Sequence, residues 1–398
     1  DGHHFLYSAG VDDEGTTICA GSLDGGACKE IVKASSNAIY SQGHLLFLRQ
    51  GTLLAQPFDP TALKTTAEAV PIAEEAQSVL LSRTVGVFSA STNGVLLYHG
   101  GGGERGSVLT WFTSTGTKES TVGDPALFRS RLMLSPDGKN LATSISDGTN
   151  EDIWIFDLAR GLRTRLTFDT APEFDPVWSP DGQTIIFASQ RKNKNYADLY
   201  RKAANGAGAE ELLYADSSIK WPRDLSPDGK VLLYQSVGSA DIWALPLTPE
   251  TLDKPLKPFP VEKTPFSEGS PAFSPDGRWI AYTSNESEPS QVYVTAYPPG
   301  DGGKRQISTA GGGHPHWRRD GKQIFYRSPN GPLMAADVSA DGATFTVGQV
   351  HELFRPPPSR QAYEVSPDGK HFLLCILPEQ ESADVLTLIQ NWTGSLRK

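Results

Sequence analysis

Leu134-Ser135-Pro136-Asp137-Gly138-Lys139 returns along this chain with small changes. It reappears as Trp178-Ser179-Pro180-Asp181-Gly182, Leu225-Ser226-Pro227-Asp228-Gly229-Lys230 and Phe273-Ser274-Pro275-Asp276-Gly277-Arg278. A worn copy is Trp317-Arg318-Arg319-Asp320-Gly321-Lys322, and Val365-Ser366-Pro367-Asp368-Gly369-Lys370 closes the series. Degenerate copies precede these at Ser91-Thr92-Asn93-Gly94 and Ser41-Gln42-Gly43. The phrase has a mechanical reading. Ser accepts a local hydrogen bond, Pro presets φ, Asp tolerates the bridge region and Gly supplies positive φ. It is a tight turn between two strands. The aspartates are spaced 44, 47, 48, 44 and 48 residues apart, the period of a propeller blade.

The flanks repeat as well. Five residues after the glycine stands an aromatic, at Tyr7, Phe187, Tyr234, Tyr282 and Tyr326. Thr143 and Leu374 interrupt the column, and Phe47 and Tyr98 fall one residue early. A large side chain at one strand position fills the space between stacked sheets. A third strand opens on Asp152-Ile153-Trp154, Asp198-Leu199-Tyr200 and Asp241-Ile242-Trp243, with looser versions at Gln291-Val292-Tyr293 and Asp384-Val385-Leu386. Outer strands follow, as in Arg163-Thr164-Arg165-Leu166-Thr167 and Lys304-Arg305-Gln306-Ile307-Ser308. Four antiparallel strands per unit make a blade. The fold class expected is therefore an all-β propeller. Units span about 38–84, 85–130, 131–174, 175–221, 222–269, 270–313 and 314–360, with inner strands of an eighth in 361–398. Residues 1–36 supply partial blade strands, and Cys28-Lys29-Glu30-Ile31-Val32 is the expected closing strand for the last unit. Eight blades in 37–398 are expected; surplus strands at the N-terminus leave seven or nine as alternatives.

The 398 residues carry 36 Lys+Arg against 46 Asp+Glu, a net charge of −10. That balance argues against a nucleic-acid partner, whose footprint is basic. No run of about 18 apolar residues suggests a membrane span, and no signal peptide is read. Opening on Asp1-Gly2 in mid-repeat, the sequence is expected to be a fragment of a longer polypeptide. Cys375 reads as a buried small hydrophobe, while Cys19 and Cys28 flank the turn at Asp24-Gly25-Gly26, either as a disulfide or as two thiols.

The Ser-Pro-Asp-Gly turn, aromatic strand and Asp-Ile-Trp strand resemble the TolB-like (WD40-like) propeller repeats across essentially the whole chain. Further details are similar to the C-terminal propeller region of bacterial membrane-anchored serine/threonine kinases common in acidobacteria. These are Leu53-Leu54-Ala55-Gln56-Pro57-Phe58-Asp59, Leu109-Thr110-Trp111-Phe112, Glu210-Glu211-Leu212-Leu213, Trp317-Arg318-Arg319-Asp320-Gly321 and Asn391-Trp392-Thr393. The resemblance implies an extracytoplasmic sensor or interaction module. It also implies that any kinase activity lies upstream, because no glycine-rich nucleotide loop, His-Arg-Asp or Asp-Phe-Gly is present.

Motifs for chemistry are sparse. No Gly-x-Ser-x-Gly elbow is present, which weakens the reading as the gating propeller of a serine peptidase. His314 and His316 would share one face of a strand, the only weak metal candidates and the basis of a metal-assisted lyase reading. His3 and His4 point to opposite faces. Asp12-Asp13-Glu14 and Glu379-Gln380-Glu381 read as solvated loops, and Gly100-Gly101-Gly102-Gly103 as a hairpin loop without the helix a phosphate cradle needs. Asn285-Glu286-Ser287 and Asn391-Trp392-Thr393 match the glycosylation sequon, which is uninformative in a bacterial-looking chain. No catalytic residue and no cofactor are assigned. Loops entering the innermost strands should converge on one channel mouth, bringing together Arg129, Arg131, Glu173, Asp175, Trp221, Arg223, Glu268, His314 and His316. A binding or sensing role is expected there, for a protein or peptide partner or a small ligand. A secreted structural scaffold is the remaining alternative.

Overall fold

The computed structural model describes residues 2–12, 15–49, 51–74, 76–80, 84–100, 106–148, 150–193, 195–238, 240–248, 256–262, 264–300, 303–329, 331–342, 344–377 and 386–397. Gly101-Gly102-Gly103, Asp13-Glu14, Glu379-Gln380-Glu381 and Asp384-Val385 lie outside them. The described residues are all-β apart from one short 3-10 turn at Trp392–Arg397, and the chain divides into two compact units. Residues 1–105 with 379–398 form one; residues 106–378 form the other.

Within 106–378 the strands form six four-stranded antiparallel blades. Blade I combines two ends of the unit: Ser359–Val365 and His371–Ile376 as inner strands, then Ser107–Thr113 and Lys118–Phe128. Blade II is Met133–Leu134, Asn140–Ser146, Glu151–Asp157 and Leu162–Arg165. Blade III runs from Glu173–Trp178 to Glu211–Tyr214, and blade IV from Ile219–Leu225 to Phe259–Glu262. Blade V runs from Glu268–Phe273 to Lys304–Gln306, and blade VI from Gly313–Trp317 to Thr344–Phe354. The inner strands of successive blades touch, and that of blade II also meets that of blade I, so the ring closes.

The repeated phrase builds this ring. In five copies the Ser Oγ lies 2.5–2.7 Å from the Asp Oδ1, as in Ser179–Asp181 and Ser135–Asp137. The same Asp oxygen accepts the N–H two residues on, and the Ser Oγ accepts the N–H five residues on. The result is a self-contained turn with its polar groups paired. Each turn also leans on the one before. A Cβ placed on Gly182, Gly229 or Gly277 would lie 3.8, 3.5 or 3.4 Å from Pro136, Pro180 or Pro227. On Gly321 it would lie 4.0 Å from Pro275. At the closing contact it would lie 2.8 Å from Pro367 if placed on Gly138, and 3.1 Å from Arg318 if placed on Gly369. Phe187, Tyr234, Tyr282 and Tyr326 are buried between blades, as are Thr143 and Leu374. Tyr7, in the other unit, is 38% exposed.

Closure differs from the sequence expectation of eight blades sealed by residues 28–32. Lys29–Ala34 pairs with Gly15–Ser22, whereas His371–Ile376 pairs with Ser107–Thr113 in the register Val108↔Ile376 to Thr113↔His371. Composition explains the choice. Ser107–Thr113 buries Leu109 against Leu373 and Cys375 on one face and Phe112 against Phe372 and Leu374 on the other. Lys29, Glu30 and Lys33 suit an outer strand instead. The expected unit 85–130 is thus divided: Val95–His99 pairs with Leu386–Gln390 in the first unit, and Ser107–Phe128 completes blade I in the second.

The first unit holds three further sheets and a hairpin. They are His4–Asp12 with Gly15–Ser22 and Lys29–Ala34; Ala38–Ser41 with His44–Arg49 and Thr52–Asp59, edged by Lys64–Thr65 and Val70–Ala73; and Phe88–Ala90 with Val95–His99 and Leu386–Gln390. Trp392 is fully buried there among Leu46, Leu48, Leu53 and Leu96. Cys19 and Cys28 face each other as free thiols, Sγ–Sγ 3.4 Å, and burial pushes the Cys19 thiol up to about 11. Cys375 is a free, buried thiol in blade I.

Candidate functional site

The inner strands of 106–378 surround a lumen open at both ends. At the end where these strands begin, a cavity of about 480 Å³ is lined by Arg129, Ser130, Arg131, Glu151, Phe174, Asp175, Trp221, Arg223, Arg360 and Ala362. At the end carrying the Ser-Pro-Asp-Gly turns, a second cavity of about 470 Å³ lies among Arg131, Met133, Pro136, Asp224, Pro271, His316, Arg319 and Glu364. Arg131 and Arg223 border both.

Five of the nine expected mouth residues meet at the strand-start end: Arg129, Arg131, Asp175, Trp221 and Arg223. Arg223 is buried, ion-paired to Asp175 at 3.3 Å and placed over the Trp221 ring at 5.2 Å. Burial lowers its guanidinium to about 10, opposed by the Asp175 charge. Glu151, also at this mouth, accepts a bond from the Ser144 hydroxyl. Burial raises it to about 7, against the bond from Ser144.

Glu173 and Glu268 do not reach the mouth. Glu173 is fully buried against Arg191, which also pairs with Glu210 and lies 4.1 Å from the Tyr200 ring centre. Glu268 accepts bonds from Thr264 and Ser284 at 2.5 and 3.3 Å. Both sit five residues before the last residue of the inner strand, where blade IV has the buried Lys220, paired to Asp216 at 2.6 Å. These charges tie strand ends to neighbouring segments; a strand's first residue lies at its perimeter, where backbone groups need partners.

The histidine pair separates too. Inner-strand pairing shifts between Gly313 and His316, and His314 has φ +54°. Asp175 and Ser270 occupy the same place in blades III and V with φ +51° and +50°. Such a bulge cancels the two-residue alternation that put both imidazoles on one face. His314 Nδ1 lies 3.3 Å from Ser270 Oγ, whereas His316 Nδ1 faces Glu364 at 3.9 Å and its ring lies 4.5 Å from that of Tyr363. Burial, Arg131 and His314 together hold the His316 imidazole well below its usual range. Among the described residues no group of three or more His, Cys, Asp or Glu side chains is arranged to hold a metal ion.

Sequence reasoning missed Asp224, Glu364, Arg319 and Arg360. A signal for the first two existed. One residue before the end of the inner strand, three blades carry Met133, Val177 and Ala272, and the other three carry Asp224, His316 and Glu364. A polar residue at an otherwise apolar repeat position marks the lumen wall. Asp224 Oδ2 accepts the Phe273 N–H of blade V at 2.7 Å, and Glu364 accepts the Leu134 N–H of blade II. Burial raises Asp224 to about 6 and Glu364 to about 8.

The closed ring of turns, each glycine against the preceding turn, is the geometry of a repeat array. Residues 107–248 match the family model of the TolB β-propeller domain (PD40). The match covers the outer half of blade I, blades II and III, and the first three strands of blade IV. The putative TolB of Agrobacterium tumefaciens has a similar solved structure, with TM-score 0.52 and 20% identity over 68% of this chain and 98% of that one. Among curated relatives, the uncharacterized peptidase YuxL of Bacillus subtilis is 26% identical over 209 residues, 40% of this chain and 31% of the peptidase. The uncharacterized protein Atu1656 of Agrobacterium fabrum is 29% identical over 180 residues, 41% of this chain and 59% of that protein. The chain thus spans about a third of the first relative and under two thirds of the second. No helix among the described residues is long and apolar enough to cross a membrane.

Proposed function

We propose that the TolB-like unit is a non-catalytic binding or sensing module whose partner docks at the strand-start mouth. One observation carries this reading. Arg223 Nε and Arg360 Nε are buried at that mouth without a hydrogen-bond partner among the described residues. Buried donors are normally satisfied, so a mouth with unpaired arginine N–H groups and a flat indole at Trp221 suits an acceptor-rich partner. A protein loop or peptide bearing carboxylates supplies such acceptors, and Arg and Trp are the side chains that most often anchor interfaces.

The test is a binding screen of the full chain against peptides graded in Asp and Glu content. Trp221→Ala and Arg360→Ala should each weaken the selected peptide by roughly tenfold or more. A peptide retained equally by both variants would remove the mouth as the docking site.

The similarity of the repeats to kinase-linked propellers supports placing this module in the extracytoplasmic part of a larger signalling protein. Sequencing the coding region upstream of Asp1 checks that placement. A kinase domain followed by about 20 apolar residues is the expected finding; a different upstream domain would contradict it.

A further inference from the structure

The second cavity, at the turn end of the lumen, has a chemistry of its own. In five blades the turn carries Pro at its second position, but blade VI carries Arg319. Its guanidinium donates to the Pro136 carbonyl of blade II, Nη1 to O 3.3 Å, and both residues line the cavity. Beneath it stands Arg131, which donates a long bond of 3.4 Å to the Arg223 carbonyl. Among the described residues neither Arg319 nor Arg131 has a carboxylate within ion-pair distance. The two carboxylates of the chamber are engaged elsewhere: Asp224 with the Phe273 and Leu225 N–H groups, Glu364 with those of Leu134 and Val365. Asp175, the nearest partner of Arg223, lines the other mouth.

We propose that this chamber is a binding site for a small oxyanion, clamped between Arg131 below and Arg319 above. Guanidinium groups present planar forks that match carboxylate and phosphate oxygens. Here both are bonded only to neutral carbonyls, which an anion outcompetes. The balance of charge agrees with this. Glu364, raised to about 8, is largely uncharged at neutral pH, and the His316 imidazole beside it is neutral. Arg131 and Arg319 then face Asp224 as the one chamber carboxylate substantially ionised. A locally cationic chamber stands out in a chain of net charge −10. Its volume of about 470 Å³ suits a compact ligand. The site goes beyond the docking mouth: it opens on the opposite end of the ring, and Arg319 borders the chamber but not the mouth.

Calorimetric titration of the full chain with inorganic phosphate and, separately, with succinate at fixed ionic strength tests the proposal. Saturable one-to-one binding of at least one probe is expected; whichever binds tells phosphate from carboxylate. Arg319→Ala should weaken it about tenfold, and Arg131→Gln at least as much, each having lost a charge-assisted contact. Arg160→Ala, an exposed arginine paired to Asp157 on an outer loop, should leave it unchanged. Should Arg131→Gln fail to fold, the Arg319 variant decides, because that residue sits on an exposed turn. Absence of saturation by either probe, or equal binding by the Arg319→Ala protein, overturns the proposal. Trp221→Ala lies outside the chamber, so the mouth and the chamber fail separately.

Discussion

Gly138 and Gly182 have nearly the same backbone, φ +72° and +69°, but different neighbours. An added Cβ meets Pro367 at 2.8 Å in the first and Pro136 at 3.8 Å in the second. Alanine at either site carries the left-handed penalty of about 1 kcal/mol. At Gly138 the clash adds to it, so Gly138→Ala should be the more destabilising by about 1 kcal/mol or more in denaturant melts. Equal losses would mean that the closing turn packs no more tightly than the others. Glu364 gives a second test. Its folded value of about 8 stands above the ordinary glutamate value of 4.5, so the folded state holds the proton more tightly. Stability should therefore fall as pH rises from about 4.5 toward 8 and level off above that. In Glu364→Gln, whose amide oxygen can still accept the Leu134 N–H, this part of the slope should vanish; an unchanged slope would assign it to other groups. At this scale the turns were legible, because Ser, Pro, Asp and Gly each act through local backbone chemistry. The lumen residues were not, because what Glu364 or Arg319 faces depends on which blades are neighbours.

Among the elements, blades III to VI follow the sequence units closely, since each is a continuous run of four strands joined by short turns. Blade I could not be read in that way. Its inner and outer halves are separated by some 240 residues, and local pattern does not say which distant strand pairs with which. The apolar residues on both faces of Ser107–Thr113 are the physical reason for the pairing, but they are equally compatible with a continuous unit 85–130. Leu374 is fully buried in this blade, opposite Thr110. Leu374→Ala should cost about 2–5 kcal/mol, as large-to-small core changes do. A loss below about 1 kcal/mol would show that blade I contributes little to the ring.

For the molecule as a whole, the composition of the lumen follows from the closure. Arg131 meets Glu364, His316 and Arg319 only because Ser359–Val365 stands beside Met133–Leu134 rather than beside another unit. A ring sealed by residues 28–32 would scatter these groups, and both the docking mouth and the oxyanion chamber would be lost. The alternating strand pattern and the 44–48-residue period made the propeller legible from sequence, yet the count of blades in one ring is a property of two distant segments. The most direct measurement is therefore a cross-link at the seam. Thr113 and His371 are opposite partners, next to the bond from the Ser114 N–H to the Lys370 carbonyl. They form a non-hydrogen-bonded pair, whose Cβ atoms lie close enough for a disulfide. Thr113→Cys with His371→Cys should oxidise to an intramolecular disulfide, identified by peptide mapping, and should raise the melting temperature. If this pair stays reduced while Val32→Cys with Leu374→Cys forms a bond, the ring closes elsewhere and the six-bladed account is wrong.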